Sequence, residues 1–182
     1  TPCAGGTYQN DTGATGCRDC EQGHYCAEGA SAPLPCPAGK RTNHSLGVMT
    51  NDDDCGQCAA GTFCPTGSSN ETKCAQGYSS SSGASSCTPC PPGSSSKEGD
   101  ESCTECLPNE YAENHGQSQC IPCPYPLGSN VGRSSCSVCK AGYYLPDWRA
   151  DVQTITQSPT EHCRDCPPNA NCSAGTTLET LR

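Results

Sequence analysis

Residues 87–106 read CTPCPPGSSSKEGDESCTEC, two Cys-x-x-Cys pairs whose four thiols could hold zinc, exchange disulfides or simply staple neighbouring loops. Zinc needs a discrete set of four ligands belonging to one site. Here Cys103 and Cys106 are claimed equally by the pair before and the pair after, and the same ambiguity runs from Cys87 to Cys139. A thioredoxin-type centre needs one Cys-x-x-Cys at the start of a helix in a βαβ context. Seven such pairs in segments rich in Pro, Gly and Ser do not fit, and those segments read as loops and short strands rather than helices. Staples are the remaining chemistry.

Other reactive groupings are thin. His24, His44, His115 and His162 lie in different parts of the chain beside no nucleophile motif and read as surface loop residues. The run Asn51-Asp52-Asp53-Asp54 offers oxygen ligands but lacks the spacing of an EF-hand. It reads as a solvated acidic loop. No enzyme activity, cofactor or metal is expected.

The elements that carry these cysteines must be small. Leu, Ile, Val and Phe together number 14 of 182 residues, with one Trp (Trp148) and one Met (Met49), too few for a conventional core. Against that deficit stand 20 cysteines, in the range of disulfide scaffolds. A bridge closing a loop of about 15 residues is worth roughly 3 kcal/mol in the chain-entropy model, so covalent staples take over the role of the core. With every thiol reduced, the chain should be disordered. The formal charge of −9 and singly scattered basic residues leave no stripe to follow a phosphate backbone, and no apolar stretch is long enough to span a bilayer. Nucleic acid and membrane insertion of this segment are therefore not expected. The chain opens at Thr1-Pro2-Cys3 without a signal peptide, which reads as a mature form or a piece of something longer.

Aligning the chain on its cysteines exposes internal repetition. A standard unit runs Cys3–Cys17, Cys74–Cys87, Cys90–Cys103, Cys106–Cys120 and Cys123–Cys136; longer versions are Cys36–Cys55 and Cys139–Cys163; a tight version is Cys20–Cys26, Cys58–Cys64 and Cys166–Cys172. Three residues after each opening cysteine stands Gly, or Asn at Asn109 and Asn169, with Pro126 the exception. Gly and Asn tolerate positive φ, so each loop should turn the same way just after its staple. The standard units share a second glycine four before the closing cysteine, at Gly13, Gly83, Gly99, Gly116 and Gly132. Each unit is then a short hairpin pinned at its base, with Tyr8, Tyr25, Phe63, Tyr78, Tyr111, Tyr143 and Tyr144 covering their own or the next disulfide. Serial pairing, each opening cysteine to the next, uses all 20 thiols, whereas a crossed scheme that serves Cys17, Cys20, Cys26 and Cys36 strands Cys3. Spacing alone does not decide between connectivities.

Segments such as CPAGKRTNHSLGVMTNDDDCGQC and CAGGTYQNDTGATGCRDC, with Cys-x-x-Gly-x-Tyr, Gly-x-x-x-Cys and Cys-x-x-Cys steps, resemble the cysteine-rich repeats of ephrin-receptor-like proteins, relatives of tumour-necrosis-factor-receptor and growth-factor-like modules. The resemblance spans Cys3 to about Cys172. It implies an extracellular, elongated, disulfide-stapled stalk in an oxidising compartment or at the cell surface. The expected fold is small and disulfide-rich: tandem β-hairpin and loop repeats forming a rod, with little regular secondary structure and no helix-based core. The segments are 3–36, 36–74, 74–139 (four repeats) and 139–182 (the long insert, a tight unit and the tail). If each unit contacts only its neighbours and advances one short strand, the rod would be on the order of 100 Å long.

Two departures stand out. The Cys139–Cys163 unit carries the insertion YYLPDWRADVQTITQSPTEH, and the Cys123–Cys136 unit has a Tyr125-Pro126-Leu127 patch. In a chain so poor in apolar residues, Tyr125, Leu127, Tyr143, Tyr144 and Trp148 are candidate contact residues, although Trp148 could equally pack within its own loop. Asn10, Asn43, Asn70 and Asn171 open Asn-x-Ser/Thr sequons, Asn171 with Cys172 in the middle position. Serine runs at 79–82 and 94–96 have no packing purpose on this reading and suit either O-linked sugars or solvated linker. The expected function is an extracellular structural repeat protein, a glycosylated rod or building block of a surface fibre, appendage or matrix. Its partners would be further copies of itself or other extracellular proteins. The alternative is the ligand-binding stalk of a receptor or adhesion protein, recognised by a hot spot around Trp148 and Tyr143.

Overall fold

A computed structural model describes residues 1–181. Arg182, the last residue of the fourth segment, lies outside the described residues. The regular structure consists of two-residue antiparallel hairpins and two short helices, with no helical core. The chain forms two compact units, each assembled from three stretches: Thr1–Ala75 with Ser79–Thr88 and Glu98–Ser102, and Gln76–Tyr78 with Pro89–Lys97 and the chain from Cys103 onward.

In the first unit, Thr7–Tyr8 pairs with Arg18–Asp19, His24–Tyr25 with Leu34–Pro35, Lys40–Arg41 with Gly56–Gln57, and Thr62–Phe63 with Thr72–Lys73. In the second, Ser94–Ser95 pairs with Thr104–Glu105, Glu110–Tyr111 with Ile121–Pro122, Leu127–Gly128 with Val138–Cys139, and Tyr143–Tyr144 with Arg164–Asp165. Tyr78–Ser79 and Thr88–Pro89 form one further hairpin. The bridges join Cys3–Cys17, Cys20–Cys26, Cys36–Cys55, Cys58–Cys64, Cys74–Cys87, Cys90–Cys103, Cys106–Cys120, Cys123–Cys136, Cys139–Cys163 and Cys166–Cys172. The return strand of most hairpins is the x-x of a Cys-x-x-Cys step. That step therefore closes one hairpin and opens the next.

The first turn is left-handed wherever Gly or Asn follows the opening cysteine by three, as at Gly77 (φ 86°), Asn109 (φ 67°) and Asn169 (φ 68°). Pro126 cannot follow, because its ring holds φ near −65°. The eighth hairpin is accordingly slipped by one residue: Leu127 faces Cys139, where the other hairpins would place Val138. The left-handed residue of its second turn is Arg133 (φ 52°), not the expected Gly132.

Except at Pro126, which has no N–H, hydrogen bonds from the turn amides tie successive units with a constant offset. The turn amide three after one opening cysteine donates to the carbonyl six after the following one: Gly6 to Cys26, Gly61 to Ser80, Gly77 to Ser96 and Gly93 to Ala112, at 2.7–2.9 Å. Where the acceptor is a side chain, the offset is unchanged, as in Gly23 to Thr42 Oγ1 (2.5 Å) and Asn109 to Ser129 Oγ (3.0 Å). This sixth position is the buried column of the repeat. Cys26, Cys64 and Ala112 are fully buried there, and Ser80 and Ser96 nearly so. The tight units opened by Cys20 and Cys58 are thus ordinary hairpins whose closing cysteine has moved into that column, as Cys172 has in the last unit, where no strand pair forms. Their hairpins run on to Cys36 and Cys74, and Gly29, Gly67 and Gly175 supply the second turn.

Two expectations need correction. The serine runs do pack: Ser80 (6% exposed), Ser94 (5%) and Ser96 (3%) are buried. Ser80 Oγ donates to Thr62 O at 2.7 Å and lies 3.3 Å from Cys74 Sγ; Ser96 Oγ donates to Tyr78 O at 3.0 Å and lies 3.3 Å from Cys90 Sγ. Serine belongs at this position because it fills a small space and satisfies a carbonyl of the preceding unit. Nor does each unit touch only its neighbours. The first-turn glycine of one unit packs against the second turn two units on, so that a Cβ on Gly61 would meet Gly99 O at 2.0 Å and one on Gly77 would meet Gly116 O at 2.0 Å.

The insertion contains the helices α1 (Val152–Gln157) and α2 (Pro159–His162), which the segment's loop-like composition had hidden. Asp151 caps α1 by accepting from the Thr154 amide at 2.9 Å, and Pro159 sits at the start of α2, where its missing N–H is harmless. Ile155 points inward with Leu145 and Leu127 onto Cys123, Cys136, Cys139 and Cys163. A smaller cluster in the first unit combines Cys36, Met49 and Cys55 under Tyr25.

Candidate functional site

The candidate contact residues separate into buried and exposed sets. Leu127 is fully buried and offers no contact surface; it packs onto Cys123, Cys136, Cys139 and Cys163 of its own and the next unit. Tyr144 is half-buried in its hairpin. Tyr125 (65% exposed) and Trp148 (48%) stand out to solvent. Trp148 is contacted both from its own loop and from the tail. Its Nε1 donates to Glu179 Oε1 of the tail at 3.0 Å, and the Arg149 guanidinium lies 5.0 Å from its ring centroid.

Tyr125 and Tyr143, 18 residues apart in the eighth and ninth units, come together. Their rings pack edge to face, centroids 5.7 Å apart at 86°, and their hydroxyls hydrogen-bond to one another. Lys140 Nζ lies 5.4 Å from the centroid of the Tyr125 ring. The hydrogen bond with Tyr125, and after it partial burial, raises the Tyr143 phenol above its ordinary value. The sequence marked both tyrosines as candidate contact residues in a chain poor in apolar side chains, without bringing them together.

The sequons lie where loops turn. Asn10, Asn70 and Asn171 are exposed and Asn43 is half-buried. Asn43 and Asn70 line one cleft of about 350 Å³ with Arg41, His44 and Glu71, and His44 Nε2 is 3.1 Å from Asn70 Oδ1. Asn171 precedes Cys172, which is buried and bridged to Cys166.

The acidic run is a self-satisfied turn. Asp54 Oδ2 accepts from the Thr50 amide (2.7 Å), the Thr50 hydroxyl (2.9 Å) and the Asn51 amide (3.2 Å), which holds its carboxyl below the usual value. Lys40 Nζ donates to Asp52 O at 2.8 Å and lies 3.8 Å from Asp53. No group of three His, Cys, Asp or Glu side chains among the described residues is arranged to hold a metal ion. No described helix is long and apolar enough to cross a membrane.

The arrangement as a whole presents staples, hydrogen-bonded turns and a few exposed rings. The family model described as tyrosine-protein kinase ephrin type A/B receptor-like matches residues 93–130. This segment starts at the first-turn Gly93, includes the whole Cys106–Cys120 unit and ends after the slipped Leu127–Gly128 strand. No curated protein matches the chain. Ten disulfides together with a module of this kind point to an oxidising, extracellular setting. Residues 93–130 are thus similar to an ephrin-receptor-like cysteine-rich repeat.

Proposed function

We propose that this chain is a structural repeat segment of an extracellular fibre, appendage or matrix, that it performs no catalysis, and that it works through covalently stapled stacking. The observation that carries this reading is the constant hydrogen-bond offset between successive units, from Gly6 with Cys26 to Gly142 with Cys172. A turn amide that finds its acceptor in the next unit at every step except Pro126, which has no N–H, is a rule that can be repeated along a chain, as in other repeat proteins whose length serves as their function. Further copies or other extracellular proteins are the proposed partners, and Asn10, Asn43 and Asn70 the proposed glycan carriers. Solution scattering tests the shape. A folded chain of this length packed into a globule would have a radius of gyration of about 16 Å, and a rod should exceed that clearly. A value at the globular figure would end the proposal.

The exposed Trp148 and Tyr125 favour a second reading, a stalk that captures a protein ligand. Trp148→Ala separates the two, with loss of binding to a heterologous extracellular partner favouring the stalk and loss of self-association favouring the fibre.

A further inference from the structure

We propose that Tyr125 and Tyr143 form a site of oxidative cross-linking, at which a peroxidase-type oxidant using hydrogen peroxide joins the two rings into an intramolecular dityrosine. Three observations carry it. The phenol oxygens are already in hydrogen-bond contact and the ring centroids are 5.7 Å apart, so the ortho carbons flanking the two oxygens need only a small reorientation to meet. Tyr125 is the most exposed tyrosine of the chain at 65%, so an oxidant can reach it without any opening of the fold. The pair joins two different disulfide loops, Cys123–Cys136 and Cys139–Cys163, so the new bond would connect what the existing bridges leave separate.

The chemistry balances as follows. Each phenol loses the hydrogen atom of its O–H, as one proton and one electron, to give a phenoxyl radical. The two radicals couple through ortho carbons to form one C–C bond. Each coupled ring then moves its remaining ortho hydrogen to oxygen and regains its phenol. Two hydrogen atoms leave in total, and one hydrogen peroxide accepts them to yield two waters. The hydrogen bond holds the two rings side by side, so both radicals form within reach of one another. Proximity does the rest, replacing an encounter between two chains by a reaction within one.

The test treats the intact, disulfide-bonded chain with horseradish peroxidase and a low concentration of hydrogen peroxide. The expected product is monomeric, shows dityrosine fluorescence and is lighter by two hydrogens, and digestion links the Tyr125 peptide to the Tyr143 peptide. Tyr125→Phe and Tyr143→Phe should each abolish the fluorescence, while Tyr78→Phe, at a tyrosine outside the pair, should leave it unchanged. Circular dichroism and free-thiol assay of each variant establish that its fold is retained. Variants that unfold would be replaced by mapping the link in the wild-type chain alone. Covalent dimers as the main product, links spread over other tyrosines, or an unchanged mass with full peroxidase turnover would each overturn the proposal.

Discussion

Replacing Gly77 by Ala isolates the contact between a unit and the one two positions further on. Gly77 has φ 86°, and a Cβ there would lie 2.0 Å from Gly116 O and 2.6 Å from Gly116 C, all of it backbone that cannot swing aside. Gly142 has nearly the same φ, 88°, yet its Cβ would meet nothing within 4 Å. The left-handed conformation costs any non-glycine residue about 1–2 kcal/mol, and that cost applies to both sites. The gain from stiffening the unfolded chain, about 0.4–1 kcal/mol, also applies to both. Only Gly77→Ala must push a second turn away, and that turn is held by Gly116 donating to Cys90 O at 2.9 Å, while Gly77 itself donates to Ser96 O at 2.9 Å. Weakening these two bonds adds about 1–3 kcal/mol. Gly77→Ala should therefore cost about 1–5 kcal/mol, and Gly142→Ala about 0–2 kcal/mol. Guanidinium unfolding with the disulfides intact measures both, and hydrogen exchange at the Gly116 amide should accelerate in Gly77→Ala alone. Equal midpoints for the two variants would refute a structural role for the contact.

Leu127→Ala should destabilise by about 2–5 kcal/mol as a cavity in the Cys123–Cys139 cluster, whereas Leu107→Ala, at a site 66% exposed, should stay within about 0.5 kcal/mol by the same melts. Ser96→Ala leaves the Tyr78 carbonyl without its hydroxyl donor and should cost about 1–3 kcal/mol, while the exposed Ser81→Ala should be neutral in parallel thermal melts. Asp54, its pKa lowered first by the Thr50 amide, contributes above the usual 3.8 and loses that contribution as pH falls through its lower folded value. An NMR titration should find its carboxyl titrating below 3.8, with the Thr50 amide exchanging faster once it is protonated. Intact mass of protein from its native source should exceed the bare oxidised chain by the glycans on Asn10, Asn43 and Asn70, and a bare mass would remove them.

The sequence made the hairpins legible because each is specified locally. A residue able to adopt positive φ three after a cysteine dictates the turn, and Asn109 and Asn169 obey it as glycine does. What was not legible depends on the next unit. Ser80 and Ser96 look like linker, because hydrophobicity is the usual sign of burial and their small space instead needs a donor for Thr62 O and Tyr78 O. Leu127 looked like part of a surface patch because it stands beside Tyr125 and Pro126, yet it packs onto the disulfides of its own and the next unit. Helix α1 went unread because six residues among Pro and Ser carry no periodicity, though Asp151 followed by Thr154 is a capping pattern.

The contact two units ahead changes how the repeat should behave when a staple is lost. In a chain coupled only between neighbours, opening one bridge frees that unit and stops there. Here Cys90, at the base of the sixth unit, also accepts from Gly116 of the seventh, and Gly93 packs beneath Gly132 of the eighth, contacts that do not run through the Cys90–Cys103 bridge. The backbone thus holds a unit from one side while the disulfide holds it from the other. This redundancy explains how a chain with so few apolar side chains can leave the sixth position to serine: the column carries hydrogen bonds between units, and the sulfurs carry the burial. It also explains the glycines in pairs. The first-turn member both turns its own loop and must lack a side chain so that the second turn two units on can approach, and this second constraint is not displayed by its local sequence.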